Sequence, residues 1–422
     1  MTGPALSAEI ITIGDEVLTG HTVNTNAAKI ARRLGEVGIS VEWVTTVGDV
    51  AETVHEAFRA AWNRAQVIVT TGGLGPTHDD ITRRVFCEVF DRRLVRSEPV
   101  LENIRELFAR RGRTITPRNV DQANVPTGTE VMMNRWGTAP GIYLAEAGRH
   151  WFMLPGVPRE MEGLLEHEVL PRLLRIIGDR VILRRELHVV GLPESWLMDR
   201  IDGIPGLESV ASLPDLKGEV TLRITVAAAS SAEAQAKLER LDAALRERLG
   251  RFVYGVDGES LEGVVGKLLL AKGQTIALAE SCTGGLVASR LTDVPGSSAY
   301  VMLGVVAYSN AAKESLLGVP HDLIVAHGAV SEQVARAMAE GARRLAGVDL
   351  ALALTGIAGP TGGTSEKPVG LVWIALAHAE GTEVRRFQFG DERILNKQRS
   401  AQTALDMVRR HLLRQPGEAL DV

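Results

Sequence analysis

The chain has 422 residues, 45% of them hydrophobic and 23% charged, and carries a formal net charge of −5. This is the composition of a globular protein with apolar material for more than one core, and the length suggests two to four domains. The acidic balance argues against a dedicated nucleic-acid binder, and two cysteines, Cys87 and Cys282, are too few for a disulfide framework or a cysteine-based zinc site.

Residues 1–170 alternate strand and helix patterns. An apolar run at 8–14 has strand length, and 26–36 has helical spacing through Ala27, Ile30, Ala31 and Leu34. A second strand is read at 39–47, Asp49 is placed to cap a helix reaching residue 63, and 66–71 is a short β-branched strand before a helix at 81–89. This alternation predicts a parallel, doubly wound sheet. Residues 171–255 differ. A strand at 180–190, a helix at 193–201, an alternating strand at 219–228, a long helix at 232–249 and a last strand at 252–254 make a small α+β unit, closed by a boundary at 255–258. The arginines of 172–185 read as solvated faces of a helix and a strand. Alternation then returns, with strands at 275–279, 300–307, 350–354 and 371–377 and helices at 261–271, 286–291, 331–345 and 396–413. The predicted fold is α/β: two three-layer α/β domains, 1–170 and 256–422, joined by a small α+β domain, 171–255. The tail at 417–422 reads as frayed. No apolar run approaches the roughly 18 residues that cross a bilayer, and the start of the chain lacks the pattern of a secretory leader, so a cytoplasmic protein is expected.

Two turns leave strand ends in the first domain: GDEVLTG at 14–20 and TTGGLGPTHDDIT at 70–82. Ligands of open α/β sheets bind at the carboxyl ends of strands. Gly72, Gly73 and Gly75 let backbone N–H groups approach a phosphate beside a helix start. Asp15, Glu16, Asp79 and Asp80 would repel that phosphate unless a hard divalent cation stood between, which points to Mg²⁺-like binding. The structural alternative makes Asp79 or Asp80 an N-cap and the glycines a plain turn. Neither a Walker A loop nor a GxGxxG fingerprint is present, so P-loop and dinucleotide dehydrogenase readings lack support.

In the last domain the strand runs into ESCTGG at 280–285. Ser281 at a strand-to-helix turn can present its hydroxyl where the N–H groups of Thr283, Gly284 and Gly285 would meet an oxyanion or a phosphate. Serine needs a base, and no GxSxG elbow surrounds it. Lys313, in YSNAAK at 308–313, is a base if burial leaves it neutral, and otherwise a solvated helix residue. Tyr308 is placed to relay a proton or to orient the lysine. Cys282 reads as a small buried thiol rather than a rival nucleophile. A third turn, TGIAGPTGG at 355–363, offers Thr355, Gly356 and Gly359 to a phosphate or ribose, or is a glycine connector.

TTGGLGPTHDDIT resembles the motif of the molybdopterin-binding-like fold found in molybdenum cofactor biosynthesis proteins. With GDEVLTG, Asn24, Asn26, NRWGTAPG at 134–141 and LPGVPREM at 154–161, the first domain resembles that of the CinA family. AESCTGG, VVAYSNAAK, GAVSE, ALTGIAGPTGG and KPVGLVW, in that order, resemble the nicotinamide mononucleotide deamidase domain of the same family. For this domain the resemblance implies hydrolysis of nicotinamide mononucleotide to the acid and ammonia, with Ser281 as nucleophile, Lys313 as base, Tyr308 in support and no cofactor. For the first domain it implies an ADP-ribose pyrophosphatase that uses a divalent cation of the Mg or Co type. Asp80 and Thr82 then fall on the nucleotide-site motif, with Asp15, Asn26 and the three glycines as further contacts and Asp79, Asp80 and Glu16 as metal ligands. A homodimer acting on small nucleotides, away from membranes and nucleic acid, is also implied. So is a phosphate-binding arginine after Gly390-Asp391, with Arg393 and Arg399 both eligible. The alternatives are molybdopterin binding, or a competence or DNA-damage accessory role without catalysis in the first domain. A KH module for the latter would need a GxxG clamp, and none is recognised in 171–255.

Overall fold

The computed structural model describes residues 6–110, 112–178 and 181–414. The tail at 417–422 and the predicted strand start at residue 180 lie outside them. The chain forms two compact units, one of residues 1–182 with 227–234 and one of residues 183–226 with 235–422.

The first unit holds β1 (Ser7–Ile13), β2 (Ser40–Val47), β3 (Val67–Thr71), β4 (Leu94–Arg96), β5 (Asn124–Pro126), β6 (Glu130–Met132), β7 (Gly141–Glu146) and β8 (Arg149–Leu154). Six of them form one sheet in the order β2-β1-β3-β8-β7-β6, while β4 and β5 pair as a separate ribbon. β2, β1, β3 and β8 run parallel. Both faces are covered, which explains why apolar residues of β1 point to either side. Ile11 and Ile13 enter one core with Phe58, Phe86 and Trp151, and Ala8 and Ile10 enter the other with Ile30, Leu34 and Phe152. Asp49 does not cap the following helix, which spans Ala51–Arg64 behind a Val50 N-cap; its side chain is engaged elsewhere.

The second unit holds β9 (Val181–Val190), β10 (Val210–Pro214), β11 (Glu219–Ala228) and β12 (Val253–Val256) in one four-stranded sheet. A five-stranded sheet, β14-β13-β15-β16-β17, combines β13 (Ile276–Glu280), β14 (Val301–Val306), β15 (Leu350–Gly356), β16 (Leu371–His378) and β17 (Gly381–Gln388). β14, β13 and β15 are parallel; β16 and β17 are antiparallel additions. This sheet has a small face and a large face. Ala277, Ala279, Ala351, Ala353, Ala375 and Ala377 accept the helix Glu332–Ala346 through Ala335, Met338, Ala339 and Ala342. Ile276, Leu278, Leu352, Leu354 and Ile374 meet the C-terminal helix through Ala401, Ala404, Leu405 and Val408. That helix spans Arg393–Leu413 and so begins three residues before the predicted start at 396.

The four-stranded sheet corrects one expectation. Gly203-Ile204-Pro205-Gly206 has GxxG spacing and lies between the helix Glu194–Ile201 and the one-turn helix Leu207–Ser209. Gly203 and Gly206 take φ of 76° and 92°, where a side chain would be strained. Asp202 and Glu208 flank the tetrad, so its local charge opposes a phosphate backbone.

Candidate functional sites

The parallel strands β14, β13 and β15 end on one edge of the second unit's large sheet, and the three predicted turns emerge there side by side. The Ala307 N–H donates to Glu280 O at 2.8 Å, and the Ser281 N–H to Leu354 O at 3.0 Å. The turn after β14 leads into the helix Asn310–Leu317, capped by the Ser309 hydroxyl, which accepts from the Ala312 N–H. One turn into this helix Lys313 points back at the sheet.

Lys313 is 1% exposed, and its Nζ stands 3.2 Å from Ser281 Oγ. Its other contacts are two carbonyls, Ala307 O at 2.8 Å and Tyr308 O at 3.3 Å. A neutral amine has two hydrogens and one lone pair. Two carbonyls take its two hydrogens and leave the lone pair for the Ser281 hydroxyl once the amine is neutral, whereas an ammonium would donate to all three oxygens. Burial pushes the Lys313 pKa below its usual range, because no carboxylate among these contacts repays the desolvation of a charge. Burial also lifts the Cys282 thiol to about 12, which keeps it protonated and removes it as a rival nucleophile.

The loop donors are arranged differently from the prediction. Glu280, 1% exposed, folds its carboxylate under the start of the helix Leu286–Thr292 and accepts from Gly285 N at 3.0 Å, Val287 N at 3.1 Å and Ala288 N at 2.8 Å. The Gly284 N–H donates to Ser281 O. Gly284 and Gly285 are therefore not oxyanion donors; at φ of 65° and 92° they shape the turn. Thr283 is fully buried, and its hydroxyl has no hydrogen-bond partner. Glu280 was missed in the sequence, although an acid between a strand end and a helix start is a readable capping signal.

Tyr308 holds Lys313 through its backbone carbonyl. Its side chain is 60% exposed, and its hydroxyl accepts from Arg393 Nη2 at 3.1 Å, so the predicted relay gives way to a place on the rim. Arg393 Nη1 also donates to Gly359 O, and Asn396 Nδ2 to Ala358 O, which ties the 355–363 loop to the C-terminal helix. Thr355 Oγ1 is spent on Ala329 O at 2.8 Å, and a side chain on Gly356 would meet Leu371 O at 2.7 Å. Of the two eligible arginines, Arg393 faces this edge, while Arg399 donates to Leu216 O. Lys397 Nζ lies 3.5 Å from where a side chain on Gly284 would begin, so two cations border the Ser281 loop.

The first unit repeats the logic. The carboxyl ends of β2, β1, β3 and β8 open on a cleft of about 460 Å³ lined by Gly14, Glu16, Asp49, 72–76, Asp79, Asp80, Gln122, Gly156 and Glu160. Asp80 is turned into its own loop, accepting from Gly75 N at 2.7 Å and from Thr77 N at 2.8 Å. Thr82 Oγ1 donates to Gly72 O at 2.9 Å, so Asp80 and Thr82 build the loop rather than offer themselves to a ligand. Gly73, at φ of 64°, leaves 2.2 Å between a hypothetical Cβ and Thr82 Oγ1. Asp15 and Asp49 exchange bonds: Asp15 N–H to Asp49 Oδ2 at 3.0 Å, and Asp49 N–H to Asp15 Oδ1 at 3.1 Å. Asn26 donates to Gly156 O and Thr71 Oγ1, leaving its Oδ1 buried and unpartnered.

Glu16, Asp79 and Asp80 do not form a ready ligand set. Among the described residues the one group of three ligand-type side chains within common reach of an ion lies elsewhere, in the second unit. The acidity of the cleft is real, however. The Asp49 carboxyl is raised by burial and by the charges of Asp15, Glu16 and Asp79. Mutually repelling carboxylates at strand ends fit a divalent cation better than a bare anion. Gln122 and Glu160 are cleft residues that the sequence did not point to, and Asp49, read there as a helix cap, is a third.

Fold and sites together define a two-centred α/β protein with a molybdopterin-binding-like first unit. Residues 9–175 match the family described as "Probable molybdopterin binding domain", 184–255 the "Damage-inducible protein CinA KH domain" and 258–412 the "CinA C-terminal domain". A CinA-like protein of Kosmotoga olearia is 42% identical over 410 residues, covering 97% of this chain and 99% of the relative. One of Gemmatimonas aurantiaca is 43% identical, with 98% of each covered. The crystal structure of CinA from Thermoplasma acidophilum, 38% identical, covers 40% of this chain and 98% of that one with a TM-score of 0.37. The chain belongs to the CinA family. None of its described helices is long and apolar enough to cross a membrane.

Proposed function

We propose that the Ser281–Lys313 centre hydrolyses the carboxamide of nicotinamide mononucleotide to the carboxylate and ammonia. The observation that carries this reading is the buried lysine amine 3.2 Å from the serine hydroxyl, held by carbonyls rather than carboxylates. Neutral Lys313 takes the Ser281 proton as Oγ attacks the amide carbon. With Gly284 and Gly285 spent, Thr283 is the predicted donor residue left for the oxygen that gains charge, and its hydroxyl is buried and unpartnered. The lysine proton passes to the departing nitrogen and ammonia leaves. Water, deprotonated by the same amine, then releases the acid. Arg393 and Lys397 supply positive charge for the substrate phosphate. Ammonia release from nicotinamide mononucleotide by the full chain tests the reading, and its absence over the range pH 6–10 sinks it. Arg393→Ala is expected to raise KM about tenfold with a smaller change in kcat, since it removes a charged contact made equally in the ground and transition states.

The crowded carboxylates of the first unit support a second activity, hydrolysis of ADP-ribose to AMP and ribose 5-phosphate. Glu16, Asp49 and Asp79 line the cleft but are not within common reach of one ion, so they would have to draw together around a divalent cation, which would offset the charge of the pyrophosphate. Asp49→Asn is expected to lower this activity by about 10²-fold or more at fixed Mg²⁺ or Co²⁺, followed by AMP formation. Pterin binding without turnover of ADP-ribose under either metal would favour the molybdopterin-type role instead.

A further inference from the structure

Three ligand-type side chains of the second unit meet at the far end of its large sheet from Ser281. His378 ends β16, Glu383 lies on β17, and His411 stands in the last turn of the C-terminal helix. The register fixes the distance between the two places. Ala377 pairs with Ala351 near the start of β15, whereas Ser281 bonds to Leu354 near its end.

The ligand atoms of His378, Glu383 and His411 all lie within 4.8 Å of one another. The two imidazole rings are 4.5 Å apart and tilted by 40°. Two atoms of the cluster are left over: His411 Nδ1 and Glu383 Oε2 are buried and have no hydrogen-bond partner. Buried polar atoms are nearly always paired, so two orphans at one place point to a missing partner. One atom bound by both imidazoles and the carboxylate would satisfy them together. Nitrogen and oxygen donors in this ratio suit a borderline divalent ion. We propose that His378, Glu383 and His411 bind one divalent transition-metal ion of the zinc class, with water in the fourth position.

The geometry is close to what such an ion needs. Zinc–nitrogen bonds of about 2.0–2.1 Å place tetrahedral ligands roughly 3.4 Å apart, so the group closes by about an ångström. Charge works against the ion. Arg414 Nη1 takes Glu383 Oε1 at 2.8 Å, but it leaves the second carboxylate oxygen unpaired. His411 Nδ1, buried and without a hydrogen-bond partner, is the ring nitrogen left to ligate. The Glu380 N–H donates to His378 Nδ1 at 3.3 Å, which orients the ring and leaves Nε2, 4.0 Å from Glu383 Oε1, as the nitrogen that faces the ion. Bound there, the ion ties the β16–β17 hairpin to the end of the helix whose first turns carry Arg393 and Lys397, about 27 Å away along its axis. Its role is that of a staple.

The test uses the full chain, stripped of metal by a chelator and titrated with Co²⁺ and then Zn²⁺. One Co²⁺ per chain should give the intense visible bands of tetrahedral cobalt, and Zn²⁺ should bleach them. Cobalt in the oxygen-lined cleft of the first unit is six-coordinate and weakly absorbing, which tells the two places apart. Zinc at a hundredfold excess over its dissociation constant should raise the unfolding temperature by roughly 5–10 °C. His411→Ala and His378→Gln should each lose the bands while keeping the far-ultraviolet circular dichroism of the parent. No tetrahedral spectrum in the unaltered protein overturns the proposal, whatever the variants do. So does the same spectrum and stoichiometry in a His378→Gln, His411→Ala double variant.

Discussion

Lys313→Ala is expected to lower kcat for ammonia release from nicotinamide mononucleotide by about 10³-fold, and Ser281→Ala by at least as much. The serine hydroxyl is a poor nucleophile until its proton is taken, and Lys313 Nζ is the amine within reach of it. Lys313→Arg should not rescue, because a guanidinium stays protonated and has no lone pair to offer. The pH profile gives an independent check. Burial lowers the Lys313 pKa from 10.5. The active form is the deprotonated one, so kcat/KM should rise with pH through the lowered value and level off before 10.5 is reached. A profile that falls with rising pH across this range, or near-parental activity in Lys313→Ala, would remove the lysine from the mechanism. The truncation also leaves Ala307 O and Tyr308 O without their donor, at a cost of about 1–3 kcal/mol. Unfolding curves should therefore accompany the kinetics, and a folded, inactive variant is the informative result.

Glu280→Ala should cost about 3–5 kcal/mol of stability and abolish the proposed ammonia release with it. A single buried carboxylate satisfies three N–H groups at the start of the helix Leu286–Thr292. Hydrogen bonds to a charged acceptor are worth about 1.5–3 kcal/mol each, and removal strands three donors at once. Their loss is not fully additive, since water can enter the space vacated. Glu280→Gln keeps the shape and one acceptor oxygen, so it should fall between parent and alanine. Urea unfolding followed by tryptophan fluorescence, with Trp373 on β16 as the reporter in this domain, reads the difference. A loss under 1 kcal/mol for Glu280→Ala would mean that the turn does not depend on this cap.

What the sequence determined by itself is carried by local rules. The two-residue alternation of β11 and the strand–helix periodicity placed the elements they named within one to three residues, because burial of alternate side chains is written into each segment, but they left the strands and helices of 90–170 unassigned. Ser281 and Lys313 were legible as candidates, the lysine with a solvated helix residue as its alternative, and the resemblance of the surrounding motifs, not local rules, paired them. The same local reading overlooked the tetrad Gly203–Gly206, although its spacing is plain in the sequence.

Other assignments depended on three dimensions. Asp80 and Thr82 look like ligand contacts in the sequence, yet the tight turn through Gly73 and Gly75 brings their oxygens onto the loop's own N–H and carbonyl groups. Asp49 changes role because β1 and β2 are parallel neighbours, which sets it beside Asp15 instead of under its own helix. The pairing of Ser281 with Lys313, 32 positions away, arises because β13 and β14 end on the same edge and the next helix turns back over it. Whether that lysine is charged follows from the water excluded around it, a property of the packed domain that no stretch of chain carries alone. The sequence thus specified which groups exist and how each strand and helix forms. The tertiary structure decided which of those groups meet, and which are already used up by the backbone around them, because polar atoms taken out of water must bond to whatever the fold brings near.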